Sequence, residues 1–239
     1  MSILEKINSK LSGLLAPDPS NQLAKVSYSQ SGEDLIVAFI FEALGIEDPT
    51  YIDIGAHHPQ YLSNTAIFYE RGSRGINIEP DPVLFNAFTA RRALDTNLQI
   101  GVGPTAGKLD FYVMSTPTLN TFSKQEAERY QEKEGYRIEK VLSIPVLTVS
   151  EVLTRYFKKT WPDFLSLDIE GLDLVVLQSL DLRETGPLVI CVESITFSSK
   201  RNGAKLPEMI KLLENQGYLL YADTHINSIF VRRDRWVEP

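Results

Sequence analysis

Four carboxylates stand at or near the ends of short apolar runs in this sequence, and that placement is typical of a ligand-binding edge. They are Asp53, Glu79, Asp168 and Glu193. Parallel strands bring their carboxyl ends to one edge of a sheet, and ligands bind in the crevice beyond that edge. One strand-end carboxylate commonly caps a helix, but four at equivalent positions favour a shared site.

The elements that would position these acids alternate between strand and helix. Two stretches with apolar residues at helical spacing, SNTAIFYERG and PVLFNAFTARRAL, separate the predicted strands, and Asp81 and Pro82 are suited to begin the second helix. This alternation predicts an α/β fold with a doubly wound, mostly parallel sheet. The clearest predicted strands are 51–55, 75–79, 164–168 and 187–193.

The composition limits the classes of function. The chain has 239 residues, 43% of them apolar, which suffices for one large core. A net charge of -7 argues against a nucleic-acid binder, because such proteins rely on basic patches. The single cysteine, Cys191, leaves no disulfide framework and no cysteine-based metal cluster. We find no apolar stretch near the ~20 residues of a transmembrane segment and no signal pattern, so we expect a cytoplasmic protein.

Residues 1–26 are predicted to form an N-terminal helical extension ahead of the main domain, 27–239. The apolar residues of the extension fall on one helical face before a Pro-rich break. That face needs a partner, and we expect either its own domain or a second subunit in a homo-oligomer. A membrane-surface helix is disfavoured because the polar face is only weakly basic.

The loop after the first predicted strand favours a nucleoside over a dinucleotide. Dinucleotide folds need glycines in G-x-G-x-x-G, and aligning that motif from Gly55 puts His57 and Gln60 at its second and third positions. These side chains leave little room for a pyrophosphate. Glu79 nevertheless follows Gly55 at about the spacing, roughly 20 residues, of an acid that binds a ribose. S-adenosylmethionine, which joins a ribose and an adenine to a sulfonium cation, suits such an acidic crevice.

Five short motifs occur in order along the chain: SQSGED at 29–34, DIGAHHP at 53–59, SNT at 63–65, GINIEP at 75–80 and LSLDIEGLD at 165–173. Together they resemble the FkbM-type family of S-adenosylmethionine-dependent methyltransferases, over about residues 27–232. The resemblance implies a class I methyltransferase (Rossmann-like) fold, with a seven-stranded sheet whose last strand runs antiparallel beside the fifth. The tail GYLLYADTHINSIFVRR fits two such strands joined by a tight turn.

The resemblance also implies a role for each residue of the cofactor site. The first loop would face the methionine and the ribose, and Glu79 would accept hydrogen bonds from both ribose hydroxyls. The first loop comprises Asp53, Gly55 and Ala56; Pro80, Asp81, Ile100 and Gly101 would border the adenine, and Gln30 and Asn64 would hold the amino acid head.

Some of these features have structural explanations as well. Asn64 and the SQSGED motif each suit the start of a helix. His57 and His58 replace a usual glycine-rich loop, and they are either ordinary loop histidines or contacts near the sulfonium. The polar segment 115–140 is either a lid over the methyl acceptor or a solvated helix hairpin.

The predicted catalytic residues are Asp168 and His225, and three alternatives remain open for them. Asp168, Glu193 and His225 would all lie at one rim, where they could bind a divalent magnesium or manganese ion. His225 could instead act as a general base that Asp168 orients. The third alternative is structural, with Asp168 capping a helix, Glu193 in an ion pair and His225 filling the turn.

The sequence therefore predicts methyl transfer from S-adenosylmethionine to a hydroxyl of a sugar, glycan or natural product. Such O-methylation is implied by the family resemblance, which covers the cofactor half of the site best. An NAD-dependent oxidoreductase is the enzymatic alternative, disfavoured by the missing glycines. A nucleoside-binding regulatory protein without catalysis is the alternative from another class.

Overall fold

The structure, a computed structural model, describes residues 24–133, 135–196 and 203–236. The predicted N-terminal amphipathic helix falls on residues outside these ranges. Within them the helices are α1 (Glu33–Ala43), α2 (Ala66–Arg71), α3 (Pro82–Arg91), α4 (Lys124–Lys133), α5 (Val149–Tyr156), α6 (Asp173–Gln178), α7 (Pro207–Asn215) and α8 (Arg233–Trp236). The strands are β1 (Tyr51–Ile54), β2 (Gly75–Ile78), β3 (Thr96–Leu98), β4 (Gly101–Val102), β5 (Gly107–Met114), β6 (Ile138–Leu147), β7 (Phe164–Leu167), β8 (Val189–Glu193), β9 (Tyr218–Asp223) and β10 (Asn227–Arg232).

The main sheet has seven strands in the order β3-β2-β1-β7-β8-β10-β9. Strands β3, β2, β1, β7 and β8 pair in parallel, whereas β10 runs antiparallel to both β8 and β9. In chain order β8 is the fifth strand of this sheet and β10 the last, so the predicted fold class is confirmed. The predicted tail of two strands with a turn between them is confirmed in β9 and β10.

The central strands are apolar on both faces because helices cover the sheet from both sides. All four residues of β1 and of β7 are buried. Side chains alternate along a strand, so Ile52 belongs to one apolar cluster and its neighbour Tyr51 to the cluster on the other face. Because helices exclude water from both faces of the sheet, polar side chains can reach solvent at the carboxyl ends of the strands.

Helix α3 begins as its sequence predicts. The Asp81 side chain accepts hydrogen bonds from the backbone N–H groups of Val83 and Leu84, at 2.7 and 3.3 Å, and Pro82 occupies the first turn. An aspartate cap satisfies donors that have no partner within the helix. This cap fixes the path of the chain directly after β2, and therefore the position of Glu79.

A second, three-stranded sheet stands apart from the main one, in the order β4-β6-β5. It carries a 3-10 turn at Pro117–Leu119 and helix α4, which together occupy half of the predicted lid segment 115–140. This unit has its own buried cluster of Met114, Leu119, Ala127 and Tyr130. The lid segment is therefore folded onto an apolar core, and its role over an acceptor stays a prediction. No helix of the described residues is both long and apolar enough to span a membrane.

Candidate active site

A cavity of about 450 Å³ opens at the carboxyl edge of the main sheet. That volume lies in the range of small-molecule sites. Asp81 and His225, both predicted site residues, do not line it. The predicted residues that do line it are Gln30, Asp53, Gly55, Ala56, Asn64, Glu79, Pro80, Ile100 and Gly101, together with Asp168 and Glu193.

Gly55 lets the end of β1 approach the end of β7 closely. Its φ is +79°, a left-handed conformation that favours glycine, and a Cβ atom at this position would stand 1.7 Å from the backbone oxygen of Asp168. The N–H groups of Gly55 and Ala56 both donate to the Ile78 carbonyl at 3.0 Å. A glycine here thus joins the ends of β1, β2 and β7 into one wall of the cavity.

Glu79 is buried at the end of β2, and the backbone holds both of its carboxyl oxygens. Oε2 accepts from the N–H of His57 at 2.9 Å, and Oε1 accepts from the N–H of Asp81 at 2.8 Å. Desolvation by burial raises the pKa of Glu79 to about 8, although the two N–H donors act to lower it. The carboxyl is therefore fixed in orientation, with acceptor capacity left for a ligand in the cavity.

His57 has a left-handed backbone with φ of 55°, and that conformation aims its N–H at Glu79. The imidazole of His57 lines the cavity, and burial lowers its pKa. His58 instead uses Nδ1 to accept from the N–H groups of Gln60 and Tyr61, at 3.1 and 2.9 Å. His58 thus has a structural role in the turn, whereas His57 remains available to a ligand.

Asp53 is oriented by a buried hydrogen-bond relay. The Thr65 hydroxyl donates to Oδ2 of Asp53 at 2.6 Å, and Nη1 of Arg92 donates to that same hydroxyl at 2.9 Å. Arg92, only 1% exposed, also donates to the Tyr51 hydroxyl and forms an ion pair with Asp95. Desolvation raises the pKa of Asp53, and the Thr65 hydrogen bond and the Arg92 charge oppose that shift. Thr65 is the last residue of the SNT motif, but no role was predicted from the sequence for it or for Arg92.

Gln30 and Asn64 both line the cavity, and the side chain of each also forms a hydrogen bond to a residue of another part of the fold. Nδ2 of Asn64 donates to the Ser166 hydroxyl at 3.2 Å. Nδ2 of Asn227 donates to Oε1 of Gln30 at 3.5 Å and to Oε1 of the buried Glu33 at 3.1 Å. Asn227 also lines the cavity and was missed by the sequence analysis. Because Oε1 of Gln30 is occupied, its Nε2 is the group left to donate to a ligand.

Asp81 lies beside the predicted adenine region without lining the cavity. Its carboxyl caps α3 and accepts from Nδ2 of Asn120 at 3.0 Å, and Asn120 does line the cavity. Asn120 in turn accepts from the N–H of Met114 at 2.8 Å. Asp81 thereby links the small sheet to the start of α3, and its predicted adenine contact stays a prediction.

Three of the carboxyls that line the cavity form a cluster. Asp168, Glu170 and Glu193 each offer an oxygen within 4.8 Å of the others. Desolvation, followed by the charges of Asp173 and Asp53, raises the pKa of Asp168 to about 7. Desolvation and the charge of Asp168 also raise the pKa values of Glu170 and Glu193. Glu170 was not singled out from the sequence, although it is the glutamate of the DIEG motif.

His225 does not belong to this carboxyl cluster. It is exposed in the turn between β9 and β10, with φ of 76°, and its N–H donates to Oδ1 of Asp223 at 2.7 Å. The structure therefore places Asp168 and Glu193 together, with Glu170 in the position that the sequence analysis gave to His225. Asp168 does not cap the following helix, α6, whose N-cap residue is Leu172 and which has no side-chain cap hydrogen bond. Asp173 instead accepts from the N–H groups of Ile169 and Gly171 in the loop before the helix.

The sheet order, the glycine-dependent loop and the ring of strand-end acids define an α/β enzyme with the class I methyltransferase fold. Residues 53–220 match the family described as "Methyltransferase FkbM domain". The chain belongs to this family and is a methyltransferase. No curated protein matches the chain at a significant level.

Solved structures of other methyltransferases are similar to this chain at a low level. A TehB-like SAM-dependent methyltransferase from Corynebacterium glutamicum has 10% identity, covers 95% of this chain and 97% of its own, and gives a TM-score of 0.41. The 1,6-didemethyltoxoflavin-N1-methyltransferase of Burkholderia thailandensis, solved with S-adenosylhomocysteine, has 11% identity, covers 97% and 89%, and gives 0.39. A putative caffeoyl-CoA O-methyltransferase from Staphylococcus aureus has 10% identity, covers 97% and 93%, and gives 0.38.

Proposed function

We propose that this chain transfers a methyl group from S-adenosylmethionine to a hydroxyl of a sugar, glycan or natural product. The observation that carries the proposal is the Glu79 carboxyl, which two backbone N–H groups orient inside the cavity. A carboxyl held in this way can accept two hydrogen bonds from a vicinal diol, which is the chemistry of a free ribose. His57 occupies the place where a pyrophosphate would need a glycine.

The residues that line the cavity fit this cofactor by the chemistry of their donors and acceptors. Glu79 would hold the ribose hydroxyls, and Asp53 at the adjoining strand end would face the cationic part. Gln30 would donate Nε2 to the carboxylate of the amino acid head, since Asn227 occupies its oxygen. The cofactor supplies an electrophilic methyl group. What remains for the protein is to orient the acceptor and to remove its proton.

Asp168 is the best-supported proton acceptor. It lines the cavity at the carboxyl cluster, and its pKa of about 7 lets it be ionised in part of the molecules near neutral pH and take up a proton there. His225 remains the alternative base predicted from the sequence, but it does not line the cavity. A magnesium or manganese ion also stays a prediction, for which the cluster offers Asp168, Glu170 and Glu193 as oxygen ligands.

Two measurements test this function. S-adenosylmethionine and S-adenosylhomocysteine should raise the melting temperature of the protein, whereas NAD should not, because only the former bind a site without a pyrophosphate cradle. Labelled cofactor, incubated with neutral glycans and small hydroxylated metabolites, should then transfer one methyl group to oxygen, as detected by mass spectrometry. Equal stabilisation by NAD would favour the oxidoreductase alternative, and binding without transfer would favour a regulatory protein.

A further inference from the structure

A second cavity, of about 350 Å³, adjoins the cofactor cavity. Glu170, Glu193 and Ile195 line both cavities, so the carboxyl cluster stands at the junction between them. The remaining walls come from α4 (Glu126, Arg129, Tyr130), the start of α6 (Gly171, Asp173, Leu174), Thr196 after β8, and Leu206 and Met209 at the start of α7.

We propose that this second cavity binds the methyl acceptor, and that the acceptor is a polyhydroxylated ring without negative charge, such as a sugar residue. The inference rests on the proposed function, because it takes the first cavity as the cofactor site. The acceptor oxygen forms its bond to the methyl carbon at the junction. The methyl–sulfur bond breaks with its electron pair going to sulfur, and the hydroxyl proton passes to the Asp168 carboxylate.

The polar groups of the second cavity disfavour an anionic acceptor. Among the described residues that line it, the four carboxyls Glu126, Glu170, Asp173 and Glu193 accompany one cation, Arg129, whose Nε donates to Glu126 at 2.9 Å. A phosphate or carboxylate would therefore meet net repulsion. The chemistry of the cavity suits a ligand that donates hydrogen bonds and carries no negative charge.

The carboxyl cluster offers acceptors to adjacent hydroxyl groups. Asp168, Glu170 and Glu193 each present an oxygen within 4.8 Å of the others. A carboxyl oxygen accepts hydrogen bonds from hydroxyl groups, so neighbouring hydroxyls of one ring can bind to more than one member of the cluster.

One wall of the cavity is apolar and suits the C–H face of a ring. Leu174, Leu206 and Met209 provide this wall. The Tyr130 hydroxyl donates to Oε2 of Glu170 at 3.2 Å, which links α4 to the junction. Helix α4 also packs closely on the loop before α6, since a Cβ atom on Gly171 would lie 3.2 Å from Cγ of Glu126. The inserted helix therefore shapes the acceptor cavity directly.

The test compares a substitution that fills the cavity with one on the same helix that does not. Leu174→Trp should block the second cavity, with Leu174→Phe as a milder version, whereas Val175→Trp changes the adjacent residue, which is 43% exposed and lines neither cavity. The probes are methyl glycosides of neutral hexoses and deoxyhexoses, with glucosamine and glucuronic acid as charged comparators. Binding to protein loaded with S-adenosylhomocysteine is measured by saturation-transfer NMR, after calorimetry has established that each variant binds the cofactor product.

We expect the neutral glycosides to bind wild type and Val175→Trp, and to lose their signal in Leu174→Trp while the affinity for S-adenosylhomocysteine is retained. Unchanged glycoside binding in both Leu174 variants would refute the location of the acceptor. Binding of only the charged comparators, or of no sugar at all, would refute the acceptor class. Failure of wild type to bind S-adenosylhomocysteine would instead refute the proposed function, so the two failures are distinguishable.

Discussion

The pH dependence of nucleoside binding is the sharpest test of the role given to Glu79. Burial raises the pKa of its carboxyl to about 8, so at pH 7 only roughly one molecule in ten carries the ionised form. A ribose whose two hydroxyls donate to this carboxyl selects the ionised form, because a carboxylate accepts such bonds more strongly than a neutral acid. Affinity should therefore increase as the pH rises toward 8 and then level off.

The expected magnitudes follow from this pKa. Between pH 6 and pH 7 the ionised fraction rises about tenfold, and the dissociation constant should fall by roughly the same factor. Glu79→Gln keeps the shape of the side chain but removes its charge, and loss of a charged hydrogen-bond partner costs about 1 to 3 kcal/mol. At pH 8.5 the variant should bind about 5- to 150-fold more weakly than wild type, with little slope at lower pH.

Calorimetry with 5′-methylthioadenosine is the suitable assay, because this ligand contains the ribose and adenine but lacks the titratable amino acid head. Asp168 has a pKa of about 7 and lines the same cavity, so Asp168→Asn is the control for a slope that comes from another carboxyl. The control should retain the slope of the wild type. A flat pH profile in wild type, or the same slope in Glu79→Gln, would refute the proposed hydrogen bonds between Glu79 and the ribose.

Four further outcomes are expected. In thermal denaturation, Gly55→Ala should reduce the free energy of unfolding by more than Gly45→Ala. Both positions have positive φ, but only at Gly55 would a Cβ atom meet the Asp168 carbonyl. Equal reductions in the two variants would refute the close approach. Thr65→Val should weaken cofactor binding while Thr65→Ser restores it, since the hydroxyl orients Asp53, and equal affinities would refute the relay. Asp168→Asn should lose turnover but retain S-adenosylhomocysteine binding, and retained turnover would remove it as the base. His225→Ala should keep turnover within about twofold if Asp168 is the base. If this variant loses turnover while wild type stays active in EDTA, the lone histidine is favoured. If EDTA inhibits wild type and magnesium restores its turnover, the metal is favoured.

The parts of the fold that periodicity encodes were predictable from the sequence. Strands β1, β2, β7 and β8 are short apolar runs, and the cap and proline of α3 identify its first turn. The small sheet of β4, β5 and β6 was not predicted. Its strand β6 is largely exposed, so it lacks the continuous apolar run that marks the strands of the main sheet.

The side chains that orient the site were the hardest to predict, because they act through tertiary contacts. Arg92 reads as a surface residue at the end of an amphipathic helix, yet it is buried and reaches Thr65 and Tyr51. Asn227 begins an antiparallel strand far along the chain and meets Gln30 only after the sheet has formed. Glu170 had a local signal in the DIEG motif, but its orientation depends on Tyr130 from the inserted helix.

The four strand-end acids look equivalent in sequence, and their hydrogen-bond donors divide them into two chemical types. Glu79 has both oxygens held by backbone N–H groups and Asp53 is held by Thr65, so each is a fixed acceptor suited to binding. Asp168 and Glu193 instead face other carboxyls, and mutual repulsion adds to desolvation in raising their pKa values. A carboxyl of the first type presents an oriented acceptor to a ligand, whereas one of the second type is placed to take up a proton from the methyl acceptor. One edge of a single sheet can therefore separate cofactor binding from proton removal, because the neighbouring donors, and not the acids themselves, determine which task each carboxyl performs.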